Sequence, residues 1–132
     1  MRNRGFSLIE LLIAIVVVGV LAAIALPAYT SQLRKSARAE AQSFMTTAAG
    51  NQQQYLLNRR AYASSLDPSS PGYLGVAPPA DLNGKYTFTV VAPGVLPPTF
   101  TLTATAIGAQ ANDPCPTLVI DSAGNRNPPT CW

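Results

Sequence analysis

The feature that most restricts the fold of this chain of 132 residues is a long apolar run with one acidic residue near its start. Between Phe6 and Leu33 the only charged residue is Glu10, and residues 11–33 carry no charge. As a helix, a run of about 20 apolar residues is long enough to span the hydrocarbon core of a bilayer. A carboxylate in such surroundings costs roughly 2.5–3.5 kcal/mol at a helix centre. We therefore expect Glu10 to have a function and a partner.

The remainder of the chain has a different composition. Residues from 58 onward are rich in Pro, Gly, Ser, Thr and Asn, and the whole chain has a net charge of +3. The length predicts one domain. A polar part of roughly 75 residues is near the lower limit for a core that is stable without further support. The cations form no block of the kind that binds nucleic acid.

The sequence lacks the residues that a metal site or a catalytic site would need. The chain has no His and only two Cys, which are too few ligands for a zinc site. Asp113 and Asp121 have no convincing set of partners for calcium. Without His there is no ordinary acid–base dyad or triad, and no acidic pair has catalytic spacing. We expect no cofactor, no metal ion and no enzymatic activity.

The two cysteines, Cys115 and Cys131, flank a segment rich in Pro and Asn. One possibility is a pair of buried free thiols. A disulfide is the expected alternative in a chain that starts with a membrane or export segment, and it would place the domain outside the cytosol. Closing a loop of roughly 15 residues would contribute about 3 kcal/mol in the chain-entropy model.

The first 33 residues are compatible with three interpretations. A cleaved secretory signal would have an A-x-A site at Ala23–Ala25, but Glu10 interrupts its apolar core and Pro27 would lie almost at the new N-terminus. An ordinary transmembrane anchor fits the length. Cations flank both ends of the run, so the positive-inside rule does not give its orientation. The third interpretation depends on the residues around Glu10.

The apolar run begins with Arg4-Gly-Phe-Ser-Leu-Ile-Glu10, which follows a short basic leader. This motif closely resembles the processing site of type IV prepilins and of the related pseudopilins of type II secretion. The resemblance implies that a membrane peptidase cuts after Gly5 and that the new N-terminal residue, Phe6, is N-methylated.

Cleavage would create a partner for Glu10. The α-ammonium of Phe6 would lie four residues away, about 6 Å along a helix axis, and methylation keeps its charge. When both groups are desolvated, each favours the ionised form of the other. The resemblance implies that the pair joins neighbouring subunits, so that only one axial offset neutralises both charges. The alternative is that Glu10 reaches the lipid head groups.

Beyond the apolar run the sequence predicts that the helix continues to about Asn58. Apolar residues recur at spacings of three, four or seven, which is typical of one buried helix face. They are Leu33, Ala37, Ala41, Phe44, Ala48, Tyr55 and Leu56. Gly19 and Pro27 bracket a weak section, because Pro27 removes a backbone hydrogen bond. A tolerated kink is one outcome, and the resemblance implies another, a loss of helix between the two residues in an assembled filament.

After the helix we predict a long loop over residues 59–84 and a small antiparallel sheet over residues 85–132. Residues 85–91 and 99–105 alternate apolar and Thr side chains, and residues 117–121 form a third strand. The sheet and the helix stripe can cover each other. The fold class is therefore α+β. The resemblance implies a type IV pilin fold with three or four strands and a loop closed by Cys115 and Cys131.

These predictions divide the chain into a leader (1–5), a hydrophobic transmembrane or filament-core helix (6–33) and a head (34–132), whose amphipathic helix covers residues 34–58. The resemblance implies a single span in the inner membrane before assembly and an extracellular filament afterwards. The implied partners are other pilin subunits, the prepilin peptidase and methyltransferase, the inner membrane and its pilus assembly platform.

The leading hypothesis is a structural subunit of a type IV pilus, most similar to the small minor pilins, with a role in assembly and in motility, adhesion or DNA uptake. Two alternatives stay open. One is a type II secretion pseudopilin, and the other is a competence pilin whose head binds DNA. The candidate DNA-binding cations are Arg59, Arg60, Lys85 and Arg126, although scattered cations are more often a solvated surface.

Overall fold

The computed structural model of the protein describes residues 6–132. The chain divides into two compact units, one that ends at Leu33 and one that comprises Arg34–Trp132. We call residues 6–33 the apolar segment and residues 34–132 the head. The helices and strands are α1 (Leu8–Arg59), β1 (Tyr86–Val91), β2 (Thr101–Ala106), β3 (Thr117–Asp121) and β4 (Arg126–Asn127), with short 3-10 helices at Ala80–Leu82, Gly108–Asn112 and Pro129–Cys131.

The apolar segment exposes every one of its side chains. Helix α1 begins at Leu8 and contains Pro27 in its interior. The hydroxyl of Thr30 donates a 3.0 Å hydrogen bond to the carbonyl of Pro27. By length and composition this helix can cross a membrane, and its aliphatic surface therefore needs cover from outside the chain.

In the head, α1 buries one face, as its spacing predicts. The buried residues are Ala37, Ala41, Phe44, Met45, Ala48 and Gln52. The predicted stripe needs two corrections. Leu33 is exposed, since it belongs to the apolar segment, and Tyr55 and Leu56 are only half-buried. The sequence pattern also omitted Met45 and Gln52, which lie on the same face.

The sheet has four antiparallel strands in the order β1-β2-β3-β4. Its register places Phe88 opposite Ala104 and Leu102 opposite Ile120. β3 matches its predicted bounds, whereas β1 and β2 begin one and two residues later than predicted. The alternation in β2 is borne out, because Leu102 and Ala104 are buried while their Thr neighbours are not.

One core joins helix, sheet and loop inside the head. The ring of Phe44 on α1 packs edge-on against Phe88 of β1, with centroids 4.8 Å apart. The loop after α1 contributes Ala63, Leu74 and Leu82 to the same core. The predicted α+β class is confirmed by this arrangement.

A buried glutamine fixes the start of the loop. Gln52 is 1% exposed. Its Nε2 donates to the carbonyl of Ala63 at 2.9 Å, and its Oε1 accepts from the N–H of Ala63 at 2.8 Å. Because a buried backbone group without a partner is costly, this double hydrogen bond replaces a secondary-structure pairing that the loop lacks.

Candidate functional site

The predicted processing and assembly residues lie at the start of the chain. Gly5 lies outside the described residues. Phe6 precedes α1 and is 76% exposed. The N–H of Glu10 donates to the carbonyl of Ser7 at 3.0 Å, which places Glu10 in the first helical turn with an exposed side chain. Pairing between Glu10 and the Phe6 amine of a neighbouring subunit stays a prediction.

Gly19 and Pro27 both lie within the continuous helix α1. A Cβ atom added at Gly19 would meet no atom within 4 Å, so nothing in the described chain requires a glycine there. The subunit therefore keeps its helix through both residues, and a loss of helix between them in a filament remains a prediction.

The two cysteines form the disulfide Cys115–Cys131, with Cα atoms 5.8 Å apart. This bond confirms the predicted closed loop near the end of the chain. The loop is also tied to α1, because the Nε2 of Gln42 donates to the carbonyl of Cys131. Both cysteines are buried in the head core.

A buried ion pair reinforces this attachment. Arg38 of α1 donates to Asp113 at 2.8 Å, and the Asp113 side chain is only 1% exposed. The same carboxylate oxygen accepts the N–H of Cys115 at 2.8 Å. Removing Arg38 would leave the Asp113 carboxylate buried without its counterion, which typically costs about 3–5 kcal/mol. The ion pair therefore holds α1, Asp113 and the disulfide loop in one arrangement.

The candidate cations do not form one stripe. Lys85 precedes β1, while Arg126 lies in β4 at the opposite edge of the sheet, about 14 Å across three strand spacings. Register places Arg126 level with Val90, which is about 17 Å along β1 from Lys85. The two cations are therefore about 22 Å apart.

Arg59 and Arg60 are adjacent and exposed at the end of α1. Arg60 has a positive φ of 58°, and its N–H donates to the carbonyl of Leu56 at 2.7 Å. This is the left-handed helix cap that usually carries Gly or Asn, and another residue there costs free energy. Arg60 also lines a cleft of about 80 Å³ together with the β1–β2 loop, including Gly94 and Leu96.

Another candidate cation, Arg126, stacks on Trp132, the one tryptophan in the chain. The guanidinium carbon of Arg126 lies 5.1 Å from the ring centroid of Trp132. The indole N–H of Trp132 donates to the carbonyl of Asn127 at 3.4 Å. This contact uses part of the Arg126 surface within the head, so Arg126 is less available to a ligand than Arg59 and Arg60.

Comparison with known proteins gives the family. A family model described as the type IV minor pilin ComP, DNA uptake sequence receptor, matches residues 27–119. A second model, the prokaryotic N-terminal methylation motif, matches residues 1–26. The chain belongs to the type IV minor pilin family of DNA uptake sequence receptors.

Individual relatives are pilins and fimbrial proteins. The pilin is 34% identical to the fimbrial protein EcpC of Eikenella corrodens over 128 residues, which are 93% of this chain and 76% of the relative. It is 38% identical to a type IV major pilin protein PilE1 of Neisseria gonorrhoeae over 116 residues, or 84% of this chain and 62% of the relative. It thus spans less than two thirds of the gonococcal protein.

A solved type IV pilin from Shewanella oneidensis has the same fold as this pilin. The TM-score is 0.58 at 25% identity, covering 75% of this chain and 97% of the other. The type IV pilin fold predicted from the resemblance is thereby confirmed. As a member of this family the chain is a structural pilus subunit, and its apolar helix is long and apolar enough to cross a membrane.

Several residues that organise the head of this pilin were not predicted from the sequence. Asp113 was weighed only as a calcium ligand, yet it pairs with Arg38. Gln110 was not considered, although its Nε2 donates to the carbonyl of Arg34 at 3.0 Å and to the hydroxyl of Tyr86 at 3.1 Å. Within residues 6–132 no group of three or more His, Cys, Asp or Glu side chains is placed to hold a metal ion. One signal was available, since Arg38 lies next to Ala37 and one turn before Ala41, both of which belong to the predicted apolar stripe.

Proposed function

We propose that this minor pilin binds double-stranded DNA at the end of the head where α1 ends, and that it acts in pilus-dependent DNA uptake. The observation that carries the proposal is the adjacent pair Arg59 and Arg60, which are both exposed and of which Arg60 lines the cleft. The pair lies within the residues that the DNA uptake receptor family matches. The role is one of binding and assembly, without catalysis.

The charge environment of the pair supports this role. A guanidinium presents a planar fork of donors that matches a phosphate group. Among residues 6–132, no carboxylate lies within 4.0 Å of the guanidinium of Arg59 or Arg60, whereas Arg38 is held by Asp113. DNA phosphates would therefore displace no internal partner, and each phosphate contact would release counterions from the duplex.

The proposal includes the maturation of the chain. A membrane peptidase cuts after Gly5 and methylates Phe6, the apolar segment holds the subunit in the inner membrane, and an assembly platform then moves it into an extracellular filament. The match to the N-terminal methylation motif supports the first step. Mass spectrometry of the mature chain tests it, with N-methylated Phe6 as the expected first residue. An unprocessed or unmethylated N-terminus contradicts it.

DNA binding is tested with the full chain in a non-ionic detergent and a fluorescent duplex of about 30 base pairs, by anisotropy over a series of salt concentrations. We expect affinity to fall as salt rises. The double variant Arg59→Gln/Arg60→Gln should reduce the slope of log K against log salt by about 2, because it removes two phosphate contacts.

Lys85→Gln is the matched control, since it removes one exposed charge about 20 Å from the β1–β2 loop, at the other end of β1. It should leave the slope unchanged. A loss in Lys85→Gln of about half that of the double variant would indicate an unspecific effect of net charge, because the control removes one charge and the double variant removes two. A parent chain that binds no duplex would refute the proposed function.

A further inference from the structure

The tip of the β1–β2 loop exposes an apolar side chain, that of Leu96, to solvent. Leu96 is 89% exposed and its neighbour Val95 is 51% exposed. Burying a leucine side chain contributes about 1.5–3 kcal/mol, so this position gains most from a ligand that covers it. A single exposed leucine is ordinary, and its surroundings decide whether it has a function.

The loop around Leu96 is constrained before any ligand arrives. Pro93, Pro97 and Pro98 limit its backbone freedom. At its base Phe100 is 2% exposed, and its ring packs edge-on against Tyr62 at 4.8 Å. A loop whose backbone is already restricted by prolines loses less conformational entropy on binding. Leu96 is therefore presented on a loop with restricted backbone freedom and a buried base at Phe100.

Leu96 shares its cleft with Arg60. Arg60 occupies a backbone conformation with φ of 58° that glycine adopts without strain. An arginine at this position is explained if its side chain binds a ligand, which glycine cannot do. The cleft thus joins an anion-binding group to an apolar tip, with Arg59 adjacent.

We propose that Leu96 enters the minor groove of duplex DNA as a wedge between two base pairs, while Arg59 and Arg60 bind the flanking phosphates. The proposal rests on the proposed function and adds to it a binding mode. Apolar side chains that enter the minor groove beside basic residues unstack one base step and bend the duplex. A groove about 6 Å wide accepts one such side chain and excludes a helix or a pair of strands.

An anionic membrane surface is the other ligand class that combines negative charge with an apolar interior. Recognition of such surfaces depends on clusters of about 4–8 Lys or Arg. The cleft has Arg60 on its wall and Arg59 beside it, and Lys85 lies at the other end of β1. This number of cations around one leucine is smaller than membrane recognition requires, and it favours a DNA base step as the ligand.

The test uses the full chain in detergent and a duplex with a central TA step, which is easily unstacked. One adenine of that step is replaced by 2-aminopurine, whose fluorescence rises on unstacking, and donor and acceptor dyes at the ends report bending. We expect the parent to raise both signals. Leu96→Ala should abolish both and bind about tenfold more weakly, with an unchanged salt slope because no charge is lost.

Leu57→Ala is the matched control, because Leu57 is 83% exposed but does not line the cleft. It should behave as the parent. If the parent binds the duplex without bending or unstacking it, the wedge is overturned and the proposed function stands. If the parent binds no duplex but binds vesicles of phosphatidylglycerol through Leu96, both proposals fail in favour of a membrane contact.

Discussion

The apolar segment and the head contain the same types of aliphatic residue, but the segment exposes them whereas the head buries those of its core. Leu12 in the segment is 53% exposed, whereas Leu102 in the head is 1% exposed. The head covers its core residues with its own chain, and Leu57 and Leu96 are exceptions that stay exposed. The segment depends on lipid or on neighbouring subunits for cover. An apolar residue therefore reports on assembly in one region and on folding in the other.

The variant Glu10→Gln is expected to show the largest difference between the two regions, because it should affect filament assembly and leave the stability of the head almost unchanged. If Glu10 neutralises the amine of a neighbouring subunit, the variant should lose filament assembly, because one desolvated charge has no partner. The stability of the head should change by less than about 0.5 kcal/mol. Sheared filaments are quantified alongside thermal unfolding. Glu40→Gln, in the head, is the control and should assemble normally; normal filaments from Glu10→Gln would refute the pairing.

The same substitution made in both regions sharpens the comparison. Leu102→Ala should destabilise the head by about 2–5 kcal/mol, because it leaves a cavity in the core. Leu12→Ala should change the free energy of unfolding by less than about 0.5 kcal/mol, since its site is exposed in the subunit. Denaturant titration of both variants in detergent measures the difference. Equal effects would mean that the two regions unfold as one unit.

A smaller effect is expected for the buried amide of the head. Gln52→Ala leaves the N–H and carbonyl of Ala63 without partners and should cost about 1–3 kcal/mol. Gln54→Ala, at an exposed position of the same helix, should be almost neutral. Hydrogen exchange at Ala63 provides a local readout. Protection that survives in Gln52→Ala would contradict the proposed role of the amide.

The smallest expected effect concerns alkaline pH. Burial raises the pKa of Tyr86 above its ordinary value of 10.0, against a lowering effect of the hydrogen bond from Gln110. The unfolded chain therefore loses this proton at a lower pH than the folded head. Its contribution to stability is full below pH 10.0 and falls as the pH rises through the raised pKa. Tyr86→Phe should show a shallower alkaline decline in unfolding titrations, and an unchanged decline would exclude the effect.

Much of the fold follows from local patterns. The strict alternation in β1 and β2 identifies the buried face of the sheet, and the helical spacing of Ala37, Ala41, Phe44 and Ala48 identifies the stripe. These signals are strong because each residue's face is set by its own element. The disulfide was predictable from the number and context of the cysteines.

Most of the missed features depend on residues that are distant in sequence. The partner of Arg38 is 75 positions away, and the two-residue strand β4 exists only because β3 offers it an edge. Gln52 is a polar residue on a buried face, where periodicity counts it as a gap. The exposure of Leu96 depends on how the β1–β2 loop is held at Phe100. Such features are set by tertiary contacts, to which a sequence pattern gives no access.

The hydrogen bonds between α1 and the C-terminal part of the head affect when this subunit can complete its fold. Gln42 and Cys131 are 89 positions apart, and Arg34 and Asn112 are 78 positions apart. Contacts at such separations form late, because a long loop must close first. At about 5–20 residues per second, the partner of Gln42 is synthesised roughly 4–18 s after Gln42 itself. During about the first half of that interval Phe44 lacks its packing partner Phe88 of β1. The rate of chain delivery therefore sets when the head is complete.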